Sequence, residues 1–292
     1  MMHNPYLPED WTITAKREEI EDHFFLELAP PCGSGAGDYI PGQFFEVSIP
    51  GIGEAPISVS SSPTRPGSLQ MCVRKVGRLT SAISRLNVGD VLGLRGPLGN
   101  GYPLDQVLGR DVLILAGGLG MVPLRSLMRY IADCPERFGR LTVLYGARTD
   151  LELLFYDELI QLGKSGQAQV RLITQEAQPG GRYEADQGGR TGFVTDLLAA
   201  GVCRGPQKTF VAMCGPPVFY RYAVKTLLEE GFSKALIFMS LERRMECGVG
   251  KCGHCSVGYR YTCVEGPIFN YWDAYNTPEL MELKKGQPWI NS

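Results

Sequence analysis

The segment ECGVGKCGHCSVGYRYTC, residues 246–263, places four cysteines in the spacing C-x4-C-x2-C-x7-C: Cys247, Cys252, Cys255 and Cys263. Four thiolates this close in sequence form a metal-ligand set. They suit an iron–sulfur cluster or tetrahedral zinc. Zinc ribbons usually bring two C-x2-C pairs, and this segment has one. Gly248, Gly250, Gly253 and Gly258 leave the loop free to wrap a bound group and to aim backbone amides at its sulfurs. His254 lies inside the loop, but four cysteines complete a ligand set without it, so it is expected outside the coordination shell or in solvent.

Two further stretches could bind phosphate. In LAGGLGMVPLRSLM (115–128), Gly117, Gly118 and Gly120 remove the Cβ atoms that would keep a ligand from the backbone. Pro123 suits the first turn of a helix, and free amides at a helix start attract phosphate. Pro123 occupies the third glycine position of a G-x-G-x-x-G pattern, so the motif alone also fits a plain tight turn. In FVAMCGPPVFY (210–220), a strand ends at Met213, and Cys214-Gly215-Pro216-Pro217 opens a helix. Two such corners fall on the edge where open α/β sheets bind ligands. Cys214 alone is equally a small buried hydrophobe. A third stretch, VRKVGRLTSAI (73–83), combines Arg74, Gly77, Thr80 and Ser81 into a pyrophosphate seat. The same hydroxyls also read as an ordinary helix cap.

The elements that position these residues change in kind along the chain. HFFLELAP (23–30), QFFEVSIP (43–50), APISVSS (55–61) and LQMCVRKV (69–76) are β-branched or aromatic runs between glycine and proline turns, as in an antiparallel barrel or sandwich. A short helix is expected over 80–86 and a last strand within 89–104. From Asp111 strands and helices alternate. Strands are expected at DVLILAG, 141–147, 169–174, 209–215 and 234–242, and helices at 122–132, 151–163 and 218–231; 191–201 continues the alternation. That order predicts a parallel sheet covered on both faces. EAQPGGRYEADQGGR (176–190) reads as an exposed loop. The expected domains are 1–108, 109–241 and 242–292.

Composition bounds the function. Of 292 residues, 44% are hydrophobic and 21% charged, as in ordinary globular domains. A net charge of −2 offers nothing to nucleic acid or an anionic membrane. The apolar run 112–124 is too short to span a bilayer, which takes about 20 residues, and the start shows no signal peptide. Nine cysteines, five of them scattered, favour a reducing compartment, so a cytoplasmic location is expected.

APISVSS, GRLTS, AGGLGMVPL and MCGPP, in this order, resemble the ferredoxin–NADP reductase family over roughly residues 10–240. The resemblance implies an antiparallel β-barrel FAD domain followed by an α/β parallel-sheet nucleotide-binding domain for NAD(P)H. Ala55-Pro56-Ile57-Ser58 stands where that family usually has Arg-x-Tyr-Ser or Thr, so a phosphate-binding arginine and a ring-covering tyrosine are missing. An iron–sulfur-containing subgroup also uses Pro-Ile-Ser. In that subgroup Pro56, Ile57 and Ser58 would flank the flavin, and the phosphate would lean on Arg74, Gly77, Thr80 and Ser81. Cys214 and Gly215 would border the nicotinamide, with Gly117, Gly118, Gly120, Pro123 and Pro216 along the dinucleotide. Arg148 and Thr149 could greet a 2′-phosphate, while Asp150 and Glu152 could repel it, so NAD and NADP stay open.

The carboxy-terminal 2Fe–2S loop expected at Cys247, Cys252, Cys255 and Cys263 is similar to that of the dihydroorotate dehydrogenase electron-transfer subunit. ERRMECGVGKCGHC and CVEGPIF are closer to the gamma subunits of cytoplasmic nickel–iron hydrogenases and sulfhydrogenases, and to the B subunit of anaerobic sulfite reductase. The resemblance implies a diaphorase-type electron-transfer subunit within a complex of further iron–sulfur and nickel–iron hydrogenase subunits, with Cys214 and Ser58 nearest the reacting rings. The aromatic tail 266–290 is expected either to dock a partner or to fold over the cluster. A degenerate, non-catalytic metal sensor is the alternative from another class.

Overall fold

The computed structural model describes residues 4–32, 38–176, 181–182, 190–198 and 202–275. These gather into two compact units. One takes the described residues up to Tyr102, with Arg125–Tyr130 and Leu241–Ile268; the other takes those of Pro103–Leu124, Ile131–Ser240 and from Phe269 on.

The first unit is a six-stranded antiparallel sheet. Its strands are β1 (Glu9–Ile20), β2 (His23–Ala29), β3 (Phe44–Ile49), β4 (Gly53–Ser58), β5 (Leu69–Arg74) and β6 (Val91–Leu98). They lie in the order β4-β3-β6-β1-β2-β5. Just past the end of β4, the Ser60 amide donates to the Gln70 carbonyl of β5 at 2.8 Å, which brings the two outer strands together. Alternate residues enter one apolar core: Trp11 and Ile13, Leu26 and Leu28, Phe45 and Val47, Met71 and Val73, Leu92 and Leu94. A short helix, α1 (Arg78–Ile83), follows β5.

β1 is absent from the sequence reading, yet it lies inside the sheet, between β6 and β2. Its run EDWTITAKREEI is largely charged or polar, so it lacks the apolar density of its neighbours. Only Trp11 and Ile13 are fully buried, and the Trp11 and Phe45 rings meet edge to face at 6.1 Å.

The second unit is built on a parallel sheet. β7 (Val112–Gly117), β8 (Leu141–Ala147), β9 (Gln169–Thr174), β10 (Arg190–Thr191), β11 (Phe210–Cys214) and β12 (Ile237–Ser240) are joined by β13 (Ile268–Asn270). The order is β10-β9-β8-β7-β11-β12-β13. β7 pairs in parallel with β8 on one side and β11 on the other, so the winding reverses between β7 and β11. β7 is buried at every position, as a strand covered on both faces requires. The connecting helices are α2 (Leu104–Val107), α3 (Met121–Asp133), α4 (Tyr156–Lys164) and α5 (Pro217–Glu229). The helix expected over 151–163 begins later, because Leu153, Leu154 and Phe155 are buried in the turn and Phe155 takes a left-handed φ of 56°. Within 191–201 the described residues form the end of β10 and a 3₁₀ turn, Val194–Leu198. Most of 176–190, and the tail beyond Tyr275, lie outside the described residues. Among the described residues no helix is long and apolar enough to cross a membrane.

The burial of Trp11 against Phe45 predicts that Trp11→Ala destabilises the barrel by about 3–5 kcal/mol. The urea midpoint followed by circular dichroism should fall accordingly.

Candidate functional site

The cysteine loop is seated on the outer face of the barrel. Phe44 of β3, Leu98 of β6, Met245, Cys255 and Cys263 form one apolar cluster. Gly248, at φ 71°, rests so closely on this face that an added Cβ would lie 2.8 Å from Leu98 Cδ1 and 3.1 Å from Glu46 Cγ. Only glycine meets both the backbone angle and the space. The loop's far end is tied by Asn100. Its side chain donates to the carbonyls of Glu265 (2.8 Å) and Ile268 (2.9 Å) and accepts from the Ile268 amide (3.0 Å).

The four sulfurs come as two pairs. Cys255 Sγ and Cys263 Sγ are 3.3 Å apart, and both residues are buried. The Cys252 thiol is within hydrogen-bond reach of the Cys247 thiol, with Cys252 exposed. Amides converge on them: those of Val249, Lys251 and Cys252 reach Cys247 Sγ at 3.5, 3.3 and 3.4 Å, and that of Gly250 reaches Cys263 Sγ at 3.2 Å. Among the described residues no three side chains surround a single metal point. Two thiol pairs with amides directed at sulfur suit a two-iron cluster, whose irons share four thiolates and whose sulfurs accept hydrogen bonds.

The protonation equilibria divide the same way. Burial pushes the Cys263 thiol up to about 12, while the amides of His254 and Cys247 hold Cys252 below its ordinary value. His254 is exposed and lies 3.5 Å from Glu246.

On the neighbouring strand, Ser58 is paired with Phe44 and Pro56 with Glu46. Directly opposed residues point to the same face of a sheet. Pro56 and Ser58 therefore share the face on which the cysteine loop sits, and both are half-buried, open to a planar ring. Ile57 faces the other way, against the barrel core. Arg74 ends β5 in solvent. Thr80 turns back as a cap, its hydroxyl accepting from the Val76 and Gly77 amides at 3.0 Å each; Ser81 is half-buried in the first turn of α1. The cap reading of Thr80 holds, and space beside Gly77 is open.

In the α/β unit the two glycine corners meet at the winding reversal. An added Cβ on Gly120 would stand 2.2 Å from the Cys214 carbonyl oxygen. Pro216 caps α5, and Pro123 lies in the first turn of α3 behind a 3₁₀ turn over Gly118–Gly120. Gly117, Gly118 and Pro216 border a cavity of about 640 Å³, with Gly146, Gln175, Phe193, Val194, Thr195, Val218, Phe219 and Tyr222. An apolar cleft of this size at the switch point fits a nucleotide. Arg148 is exposed and 3.5 Å from Glu152, while Thr149 and Asp150 are buried.

Several residues of consequence carry no local sequence signal. The Tyr220 hydroxyl accepts from the Gly215 amide at 3.3 Å, lies 3.7 Å from Cys214 Sγ and donates to the Ser240 carbonyl. Arg125, buried in α3, donates to the Ser60 carbonyl at 2.9 Å and to Gln70 Oε1 at 3.0 Å. Glu46 is fully buried, and neither of its oxygens has a hydrogen-bond partner. Burial first, then the nearby Glu54 charge, pushes its carboxyl up to about 8. Phe193 to Thr195 line the cavity from a segment that the sequence marks as part of the alternation but not as a ligand site.

Three sequence families match in succession. Residues 11–102 match the oxidoreductase FAD-binding domain, 114–225 the oxidoreductase NAD-binding domain, and 242–274 the iron–sulfur cluster binding domain of dihydroorotate dehydrogenase B. Fold and domains together define an NAD(P)H-dependent flavin oxidoreductase subunit whose cofactors are FAD, NAD(P)H and an iron–sulfur cluster. The sulfhydrogenase 2 subunit gamma of Pyrococcus furiosus is 44% identical over 95% of this chain and 100% of its own length. A probable dihydroorotate dehydrogenase B electron transfer subunit of the same organism is 31% identical over 82% and 83%. Among solved structures, an NADH-dependent reduced ferredoxin–NADP oxidoreductase superposes at a TM-score of 0.68, with 25% identity over 94% of this chain and 91% of that one. The FAD/NAD-binding domain of a Vibrio cholerae nitric oxide dioxygenase shares the fold, at a TM-score of 0.68 and 21% identity over 80% and 98%. The chain belongs to the family of iron–sulfur flavoprotein electron-transfer subunits that includes the sulfhydrogenase gamma subunits and those of dihydroorotate dehydrogenase B.

Tyr220→Phe removes the hydroxyl that fixes the Cys214–Gly215 corner. Flavin reduction by NAD(P)H in stopped flow should slow by about tenfold to a hundredfold, the scale of a small misplacement of reacting groups. Flavin content should not change.

Proposed function

We propose that this chain is the diaphorase-type subunit of a cytoplasmic nickel–iron hydrogenase or sulfhydrogenase, moving electrons between NAD(P)H, FAD and a 2Fe–2S cluster. The observation that carries this reading is the seating of two thiol pairs on the barrel face that also presents Pro56 and Ser58. Bound FAD supplies the exchange between a two-electron hydride and one-electron carriers that the cluster requires.

Each part of the chain has a stated task. Pro56 and Ser58 flank the isoalloxazine, with Ile57 between them turned into the barrel core, and Arg74, Gly77, Thr80 and Ser81 hold the diphosphate. Gly117, Gly118, Gly120, Pro123 and Pro216 border the nicotinamide dinucleotide, with Cys214 and Gly215 at the nicotinamide. Cys247, Cys252, Cys255 and Cys263 would ligate the irons, and the amides of Val249, Gly250, Lys251 and Cys252 would donate to the ligand sulfurs.

The likeness to a sulfhydrogenase gamma subunit over the whole of that protein supports the hydrogenase complex ahead of dihydroorotate dehydrogenase. The nine cysteines form no disulfide, as a reducing compartment allows, and this supports the cytoplasm. The exposed Cys252, with Tyr259 73% and Val264 51% exposed on the same loop, supports a partner subunit at that edge.

NADH or NADPH should bleach the flavin of the anaerobically prepared protein and then develop the electron-paramagnetic signal of a reduced 2Fe–2S cluster. Cys252→Ser should abolish or alter that signal and leave flavin bleaching in place. A colourless wild-type protein without iron or flavin refutes the reading. Purification of the native complex decides the partner: a nickel–iron hydrogenase subunit supports it, and a dihydroorotate dehydrogenase replaces it.

A further inference from the structure

One buried cation lies beside the cysteine loop, and the loop's own sequence does not supply it. Arg95 belongs to β6 and is 4% exposed. Its guanidinium is divided among three acceptors. Nε and Nη2 grip Glu54 as a fork, at 2.6 Å to Oε1 and 2.7 Å to Oε2. Nη1 donates to the carbonyls of Pro5 at 2.7 Å and Cys247 at 3.1 Å. The amino-terminal segment is thereby fastened to the loop. The next residue, Tyr6, places its ring 5.2 Å from the Lys251 ammonium.

We propose that Arg95 is a positioning residue for the iron–sulfur cluster, and that the Arg95–Glu54 pair sets the cluster's reduction potential through the backbone of Cys247. The inference rests on the reading of Cys247 as a cluster ligand. Two physical arguments support it. A guanidinium keeps its charge at every accessible pH and directs its donors rigidly, so the Cys247 carbonyl is held at a fixed place on β6. A buried charge is also poorly screened, so its field at neighbouring atoms persists where a surface charge would fade. Adding an electron to a cluster makes it more negative. A nearby cation therefore raises the potential and a nearby carboxylate lowers it. Glu54 is 27% exposed and Arg95 is 4% exposed. The buried cation is thus less screened than its counter-ion.

The pair predicts opposite signs for two substitutions. Arg95→Gln removes the cation and leaves Glu54, so the cluster's midpoint potential should move to more negative values. Glu54→Gln removes the anion and leaves Arg95, so the potential should move to more positive values. Arg95→Lys keeps the charge and loses the fork. It should hold the potential near that of the wild type while perturbing the electron-paramagnetic line shape. The measurement is a redox titration of the full chain, monitored by electron paramagnetic resonance, with iron and flavin contents determined in parallel.

Opposite shifts with iron retained support the proposal. Shifts of one sign, or none, in chains that retain iron overturn it and leave Arg95 a purely structural residue. Where Arg95→Gln loses its iron, Glu54→Gln and Arg95→Lys decide. An upward shift in the first with an unchanged potential in the second supports the proposal, and any other combination overturns it. A wild-type chain without iron instead refutes the ligand reading of Cys247, a failure distinct from an unmoved potential.

Discussion

Side chains alternate along β3. Phe45 and Val47 enter the barrel core, while Phe44 packs with the cysteines and Glu46 lies against Gly248. One strand thus anchors the barrel with one face and seats the cluster loop with the other. Its neighbour β4 carries Pro56 and Ser58 on the seating face, directly opposite Glu46 and Phe44. Adjacent strands lie about 4.8 Å apart. The residues read as flavin contacts and the base of the cysteine loop are therefore neighbours by construction. Their adjacency depends only on β3 keeping its register. A slip of one residue would send Glu46 into the core and Phe45 to the loop. The burial of Phe45 beside Trp11 opposes such a slip.

The nucleotide end obeys a different constraint. Parallel strands leave their carboxyl ends open at the point where the winding reverses, and the two corners there must approach more closely than any side chain allows. Gly120 meets that demand against the Cys214 carbonyl. Tyr220 then fixes the corner from behind, and its acceptor is the carbonyl of Ser240, the last residue of β12. The chain leaves β12 for the cysteine loop, so the hydroxyl that holds the Cys214 corner also holds the strand from which the loop segment starts.

Much of this was legible in the sequence because the signals are local. Glycine, proline and cysteine at short spacing marked both corners and the loop, and β-branched or aromatic runs marked β2, β3 and β5. β1 was missed because Trp11 and Ile13 are its only fully buried hydrophobic residues, among charged neighbours that read as a surface segment. Arg95 and Glu54 were missed for a different reason. The partners of Arg95 lie at residues 5, 54 and 247, and no local pattern joins positions so distant. Tyr220 looked like one more aromatic on an amphipathic helix. Thr149 and Asp150, read as residues that could meet a 2′-phosphate, are buried.

The loop's dependence on its metal follows from how it is held. Small metal-binding modules often have no folded state without the ion, because the metal supplies most of the cohesion. Here the apolar contacts of Phe44, Leu98 and Met245 hold one side of the loop. The hydrogen bonds of Asn100 and the Leu241 amide to Pro267 carbonyl bond, at 2.8 Å, hold its ends. This cohesion comes from the protein's own groups and fixes the loop against the barrel. It also separates the buried pair, Cys255 and Cys263, from the exposed Cys252. The buried side is set by the barrel, and the exposed side faces solvent.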